Sequence, residues 1–113
     1  MQELVEKLSV LLQTRGVRLL SAESCTGGLL AAAMTERPGS SDVFEGGVVS
    51  YSNELKQAFL HVSAESLEKH GAVSAEVARE MAAGLLRLHP QGLAVSITGI
   101  AGPGGSSAAK PVG

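Results

Sequence analysis

Apolar and polar positions at the start of the chain follow the period of an α-helix. Leucine and valine recur at positions 4, 5, 8, 11 and 12, with polar and charged residues between them. This spacing puts the apolar side chains on one face and predicts an amphipathic helix over residues 2–15. The pair Arg15-Gly16 then ends the helix, because a basic last turn followed by glycine is typical of a helix C-terminus.

Three apolar runs bounded by polar or glycine-rich residues predict β-strands. They span residues 17–21, 47–51 and 93–97. The second run is rich in β-branched and aromatic residues, which favour strands. The third is almost wholly apolar and is expected to be buried on both faces. Residues 110–113 resemble the entry to a fourth strand.

Hydroxyl-bearing residues precede the segments with a helical pattern. Thr26 is predicted to cap a second helix that runs to about Thr35. Ser52-Asn53, Ser63 and Ser74 are predicted to cap helices that start near residues 54, 64 and 75. In the last helix one apolar face is predicted, formed by Val77, Met81, Leu85 and Leu88.

This alternation of strands and helices predicts an α/β fold, layered α/β/α, with a mostly parallel sheet. The carboxyl ends of parallel strands meet at one edge of a sheet, where ligands bind. The segments at the ends of the three strands, residues 23–28, 51–56 and 98–105, are all polar or glycine-rich. We therefore expect the functional site where these three segments converge.

Composition narrows the classes of function. The chain of 113 residues suffices for one domain, and its 44% hydrophobic and 18% charged content predicts a folded core. A formal net charge of −2 and an aromatic content of 3% argue against nucleic-acid binding. The single cysteine excludes an intrachain disulfide and a multi-cysteine zinc site, and no other metal-ligand spacing is present. Without a signal-peptide pattern or an apolar run of about 20 residues, the expected location is cytoplasmic, with no membrane partner.

The turn after the first predicted strand holds the candidate nucleophiles. Ser24, Cys25 and Thr26 precede Gly27 and Gly28, which are expected to occupy the first turn of the second helix. Each glycine in a helix lowers the stability of that helix by roughly 1 kcal/mol relative to alanine. Because folding alone does not require this loss, the pair indicates close approach of a ligand or another backbone. The start of a helix also favours an anion, such as a phosphate or an oxyanion.

A serine nucleophile needs a base, and Lys56 is the candidate. Ser–Lys pairs replace the Ser–His–Asp triad in some hydrolases, provided that the lysine loses its charge. The residue pattern alone also fits an exposed helix lysine at Lys56. His61, His70 and His89 fit surface positions. Cys25 is either a reactive thiol with a lowered pKa at a helix start, or a small side chain packed beneath the turn.

Further polar residues surround these candidates. Glu23 is expected either to orient a site group or to pair with a nearby charge. Tyr51 is expected to hydrogen-bond a substrate carbonyl or Lys56, or to be an ordinary strand-end aromatic. The loop of residues 98–105 offers backbone N–H groups to a phosphate or an oxyanion. It matches neither a Walker A loop nor a dinucleotide fingerprint.

Five segments together resemble the CinA C-terminal domain family, whose enzymes are nicotinamide-nucleotide amidases. They are AESCTGG at residues 22–28, YSNELK at 51–56, HGAVS at 70–74, SITGIAGPGG at 96–105 and KPVG at 110–113. The resemblance covers nearly the whole chain. It implies hydrolysis of nicotinamide mononucleotide to nicotinic acid mononucleotide and ammonia, in pyridine nucleotide recycling, with no metal or organic cofactor.

The resemblance also implies roles for individual residues. Ser24 is the implied nucleophile and Lys56 the implied base, with Tyr51 near the substrate and Cys25 a packed neighbour. N–H groups of the Gly27 turn or of the Gly99 loop are expected to hold the oxyanion. The residues expected to bind substrate are Thr26, Gly27, Gly28, Thr98, Gly99 and Gly102.

Members of this family usually continue through further strands and a terminal helix that carries a substrate-binding arginine. Residues 1–113 are therefore expected to form a single domain that lacks its C-terminal strands, and apolar helices make a homo-oligomer, a dimer or higher, the expected state. Two alternatives to the amidase remain. One is a non-catalytic nucleotide-binding or regulatory module, and the other is a protein-interaction domain linked to competence or DNA damage.

Overall fold

The computed structural model describes residues 2–102, 104, 110 and 111. Five α-helices and three β-strands lie within these residues, together with one turn of 3-10 helix at Ser40–Asp42. Their order along the chain is α1 (Gln2–Arg15), β1 (Leu19–Glu23), α2 (Leu29–Thr35), β2 (Phe44–Val49), α3 (Asn53–Leu60), α4 (Ala64–His70), α5 (Ala75–Leu88) and β3 (Leu93–Ile97).

The strands form a parallel sheet in the order β2-β1-β3, as the alternation of elements predicts. In its register Ala22 of β1 lies between Val48 of β2 and Ser96 of β3. All five residues of β1 are buried. The prediction that the third strand is buried on both faces is wrong, because β3 lies at an edge of the described sheet and its residues are half-buried or exposed.

Helices cover both faces of the sheet, which confirms the predicted α/β/α layers. Consecutive residues of a strand point to opposite faces, and Leu19 and Leu20 accordingly belong to two separate cores. Leu19 packs with residues of α1 and α2, in a cluster completed by Val5, Leu12, Met34 and Val43. Leu20 packs on the other face, in a cluster completed by Ala22, Leu60, Val62, Val77, Met81 and Leu85.

The helix boundaries follow local signals in the sequence. Gly16, which follows α1, has a φ of 65°, a conformation that suits glycine. The hydroxyls of Ser52, Ser63 and Ser74 accept the N–H groups of the residues three positions later, which confirms all three predicted caps. Leu88 does not join the buried face of α5, since its side chain is 69% exposed at the end of the helix.

The first two strands are displaced from their predicted bounds, because β1 extends through Glu23 and β2 begins at Phe44. Lys110 and Pro111 lie outside any strand, while Val112 and Gly113 lie outside the described residues. In the part of the chain that the structure describes, no helix is long and apolar enough to cross a membrane.

Candidate active site

Ser24 lies directly after β1, at the carboxyl edge of the sheet. Its backbone is fixed on both sides, because its N–H donates to Ile97 O at 3.0 Å and its carbonyl accepts the Gly27 N–H at 3.1 Å. The residue is 8% exposed. The central strand and the turn thus hold a nearly buried hydroxyl in one place.

The turn that follows Ser24 differs from its predicted form. Gly27 and Gly28 have φ angles of 61° and 111° and precede α2 rather than forming its first turn. Gly28 is the N-cap and has no side chain to offer, and Thr26 does not cap the helix. The glycines are required by the left-handed backbone of the turn, in which other residues are strained.

The side chain of Lys56 reaches Ser24 from α3. Its Nζ lies 3.1 Å from Ser24 Oγ and donates to the carbonyl oxygens of Ser50 and Tyr51, both at 2.9 Å. Lys56 is 1% exposed, so the simpler expectation of an exposed helix lysine is wrong. Burial lowers its pKa below the ordinary value of 10.5, although the nearby Cys25 works in the opposite direction.

The three oxygen neighbours of Nζ accept its N–H groups. A protonated lysine has three N–H bonds, one each for the Ser24 hydroxyl and the carbonyls of Ser50 and Tyr51. When the amine loses its proton, the two carbonyls take its two N–H bonds, and the lone pair is left to accept from the Ser24 hydroxyl. A serine nucleophile and its base require a contact at this distance.

Glu23 is a buried carboxylate that takes the place of the missing helix cap. It accepts the Thr26 hydroxyl at 2.6 Å and the N–H groups of Leu30 and Ala31 at 3.0 and 3.1 Å. Burial alone would raise the pKa of Glu23, but these hydrogen bonds and one from Gly28 outweigh it and hold the pKa below its ordinary value. Within the described residues no basic side chain forms an ion pair with it.

A cleft of about 240 Å³ opens beside the Ser24–Lys56 pair. Of the residues predicted for the site, five line it together: Ser24, Tyr51, Lys56, Thr98 and Gly99. Four others do not line it, and these are Thr26, Gly27, Gly28 and Gly102. Residues that the sequence did not single out complete the wall: Asn53, Ala72, Val73 and Ala101.

Two of the predicted residues contribute differently from what their side chains suggest. Tyr51 supplies its backbone carbonyl to Lys56, and the residue as a whole is 72% exposed. The Thr98 hydroxyl donates to Ala72 O at 2.9 Å, which ties β3 to the segment before α5. Tyr51 thereby shapes the cleft through its backbone carbonyl, and Thr98 through a hydrogen bond from its hydroxyl to the backbone of Ala72.

Cys25 and the turn amides also depart from expectation. Cys25 is half-buried and lines the cleft, so it is not packed beneath the turn. The Gly27 N–H donates to Ser24 O, and neither Gly27 nor Gly28 lines the cleft, so these amides are not placed to hold an oxyanion there. In the described part of the chain the backbone N–H groups of Cys25 and Thr26 donate to no protein acceptor.

The other features of the described structure are weaker candidates for an active site. A cavity of about 320 Å³ lies between α1 and α2, but it contains no nucleophile with a base; its lining is Gln2, Val5, Glu6, Ala33, Glu36, Arg37 and Pro38. Among the described residues no cluster of three or more His, Cys, Asp and Glu side chains could hold a metal ion. The cleft beside Ser24 is therefore the candidate active site.

Comparison with known proteins assigns the chain to a family. The family model of the CinA C-terminal domain matches residues 1–113. A CinA-like protein of Syntrophomonas wolfei is 53% identical over 110 residues, which are 97% of this chain and 26% of that protein. The chain thus spans about a quarter of the length of this curated relative.

Solved structures give the same assignment. The competence/damage inducible protein CihA from Agrobacterium tumefaciens superposes with a TM-score of 0.92 at 47% identity, over 98% of this chain and 67% of that one. The competence damage-inducible protein A from Klebsiella pneumoniae superposes with a TM-score of 0.93 at 41% identity, over 99% and 70% of the two chains. The chain belongs to the CinA C-terminal domain family.

Proposed function

We propose that the cleft hydrolyses the carboxamide of nicotinamide mononucleotide to nicotinic acid mononucleotide and ammonia, with Ser24 as nucleophile and Lys56 as base. The observation that carries this proposal is the buried Lys56 amine, 3.1 Å from Ser24 Oγ and held by two backbone carbonyls. The choice of substrate rests on the resemblance of the segments around the cleft to nicotinamide-nucleotide amidases. The products fit a role in pyridine nucleotide recycling.

In the first half of the reaction Ser24 is acylated. Ser24 Oγ attacks the carboxamide carbon, and its proton passes to the neutral Lys56 Nζ. The carbonyl π-electrons move to oxygen, and the N–H group of Cys25, which lines the cleft, is the candidate donor to this oxyanion. A single donor of this kind typically contributes on the order of 10²–10³ in rate.

In the second half Lys56 returns the proton and the enzyme is regenerated. The protonated Lys56 donates to the nitrogen of the leaving group, the carbon–nitrogen bond breaks, and ammonia departs. Lys56 then removes a proton from water, the water oxygen attacks the ester carbon, and Ser24 leaves with that proton. The cleft is smaller than the pockets of about 300–1,000 Å³ that enclose whole drug-sized ligands. It therefore receives the carboxamide end of the substrate.

Ammonia release from nicotinamide mononucleotide tests this proposal. We expect the Ser24→Ala variant to lose about 10⁴-fold or more in kcat, because removal of a nucleophile abolishes covalent catalysis. Ser63→Ala is the matched control, since Ser63 is an exposed serine that caps α4 away from the cleft. If Ser24→Ala bound the nucleotide and released ammonia as fast as the unmodified protein, the proposed mechanism would be wrong. If the unmodified protein bound it without turnover, a nucleotide-binding module would be favoured.

A further inference from the structure

We propose that Glu23 is a positioning residue for Ser24: its carboxylate closes the turn that carries the nucleophile and holds Ser24 in reach of Lys56. This inference deepens the proposed function and rests on Ser24 being the nucleophile. Helices α3, α4 and α5 are each capped by a serine at the N-cap position. Helix α2 instead uses a carboxylate from the strand before the turn.

The contacts of Glu23 span the nucleophile. The carboxylate belongs to the residue just before Ser24. Its two oxygens accept hydrogen bonds from Thr26, Leu30 and Ala31, which lie on the far side of the turn. The turn of residues 24–28 is therefore a loop closed by hydrogen bonds to one side chain. Backbone hydrogen bonds of Ser24 to Ile97 and Gly27 fix the near side of this turn, and the Glu23 carboxylate ties its far side back to the strand end.

The burial of this charge is costly unless it is satisfied. Glu23 is 1% exposed and has no cationic partner among the described residues. An ionised carboxylate removed from water is stabilised here by charge-assisted hydrogen bonds and by the positive end of α2. A serine cap would satisfy the helix at lower cost, but it would not tie Thr26 and the strand end to the same point.

Glu23 also decides what this helix start can bind. Its carboxylate accepts the N–H groups of Leu30 and Ala31, which are groups that would otherwise bind an external anion. The anion site expected at this helix start is thus filled by the protein itself. The phosphate of a nucleotide must bind at a place other than this helix start.

The test measures the reactivity of Ser24 separately from the choice of substrate. A fluorophosphonate probe reacts when the Ser24 Oγ–phosphorus bond forms, the phosphorus–fluorine bond breaks, fluoride leaves, and the hydroxyl proton passes to Lys56. The rate of labelling is followed by intact mass, and the labelled residue by peptide mapping. Labelling of Ser24 without ammonia release would refute the proposed substrate. The effect of Glu23 on the labelling rate would still be measurable in that case.

We expect Glu23→Gln to slow the labelling of Ser24 by about 10- to 100-fold, because displaced reacting groups lose rate to that extent. In ammonia release, kcat is expected to fall by a similar factor with little change in KM. Glu80→Gln is the matched control. Glu80 accepts the Ser63 N–H at 2.8 Å and also has a lowered pKa, owing to hydrogen bonds from Ser66 and Ser63, but it is remote from the cleft.

A second variant covers the case in which Glu23→Gln does not fold. Thr26→Val removes the hydroxyl that donates to Glu23 at 2.6 Å and leaves the carboxylate and the helix cap in place. We expect it to slow labelling by a smaller factor than Glu23→Gln, with a circular dichroism spectrum like that of the unmodified protein. Labelling at the unmodified rate in folded Glu23→Gln, or in Thr26→Val where the first variant is unfolded, would overturn the proposal.

Discussion

Lys56 Nζ lies 3.1 Å from Ser24 Oγ although 32 residues separate them in the chain. The two residues meet because β1 and β2 are adjacent parallel strands whose carboxyl ends lie at the same edge of the sheet. Ser24 follows β1 directly, and Lys56 lies one turn into the helix that follows β2. The fold therefore brings a hydroxyl and a buried amine together.

The stability of the protein is expected to depend on the charge of Lys56. Its pKa is lowered in the folded protein by burial, so the unfolded chain binds more protons between that lowered pKa and 10.5. The free energy of unfolding therefore rises with pH through this window, and the cost of burying the charge is fully present below it. Lys56→Met is expected to remove this part of the pH dependence.

Urea unfolding at several pH values between 7 and 10.5 measures the difference between the two proteins. Lys7→Met is the control, because Lys7 is an exposed residue of α1. Equal slopes against pH for Lys56→Met and the unmodified protein would mean that Lys56 keeps its ordinary pKa in the fold.

Acid is expected to destabilise the protein partly through Glu23. Burial raises the pKa of Glu23, but hydrogen bonds from Thr26, Leu30, Ala31 and Gly28 lower it by more, so the folded pKa lies below the ordinary value of 4.5. The contribution to stability is present above that value and is lost as pH falls through the folded pKa. In chemical unfolding between pH 6 and 3, Glu23→Gln is expected to lose less stability than the unmodified protein. A parallel decline would contradict this.

Gly84 is expected to be required for the packing of α5 against α3. A Cβ at this position would collide with the backbone carbonyl of Leu60, and Gly84 is buried. Gly84→Ala should therefore destabilise the protein by roughly 1–3 kcal/mol through overpacking, although alanine is normally the better helix residue. Gly104→Ala is the control, because a Cβ there meets no atom within 4 Å. Denaturant unfolding that showed Gly84→Ala to be as stable as the control would contradict the described packing.

Cys25 is expected to be dispensable for the chemistry despite its place in the cleft. Its thiol lines the same cleft as Ser24, but the amine of Lys56 lies at hydrogen-bond distance from the serine hydroxyl. Cys25→Ala should therefore keep most of the ammonia release, while alkylation of Cys25 in the unmodified protein should block the cleft. A loss in Cys25→Ala as large as that in Ser24→Ala would assign the nucleophile to the thiol instead.

Much of this structure could be read from local signals in the sequence. The serine caps place the starts of α3, α4 and α5, and the three polar segments at the strand ends place the cleft. The position of β3 at an edge could not be read, because strand order depends on pairing between distant segments. An apolar run is compatible with an edge or a central position.

The site residues show the same limit. The role of Glu23 depends on contacts up to eight residues away across a left-handed turn, which no helix-cap pattern describes. The burial of Lys56 did have a signal: it lies four residues before Leu60, on the same face of α3, and Leu60 belongs to the core. Hydrophobic periodicity alone does not predict that a lysine on that face is buried. A buried amine needs hydrogen-bond acceptors, and here these are two carbonyls that only the folded chain brings near it.

The most direct measurement is the pH profile of ammonia release from nicotinamide mononucleotide, compared between the unmodified protein and Lys56→Arg. If neutral Lys56 is the base, kcat/KM should rise with pH to a plateau, with an apparent pKa below the 10.5 of an ordinary lysine. Lys56→Arg should be inactive at every pH, because a guanidinium does not lose its proton in proteins. Ammonia release by Lys56→Arg at the unmodified rate, or a profile with no rise at any pH below 10.5, would show that Lys56 does not activate Ser24.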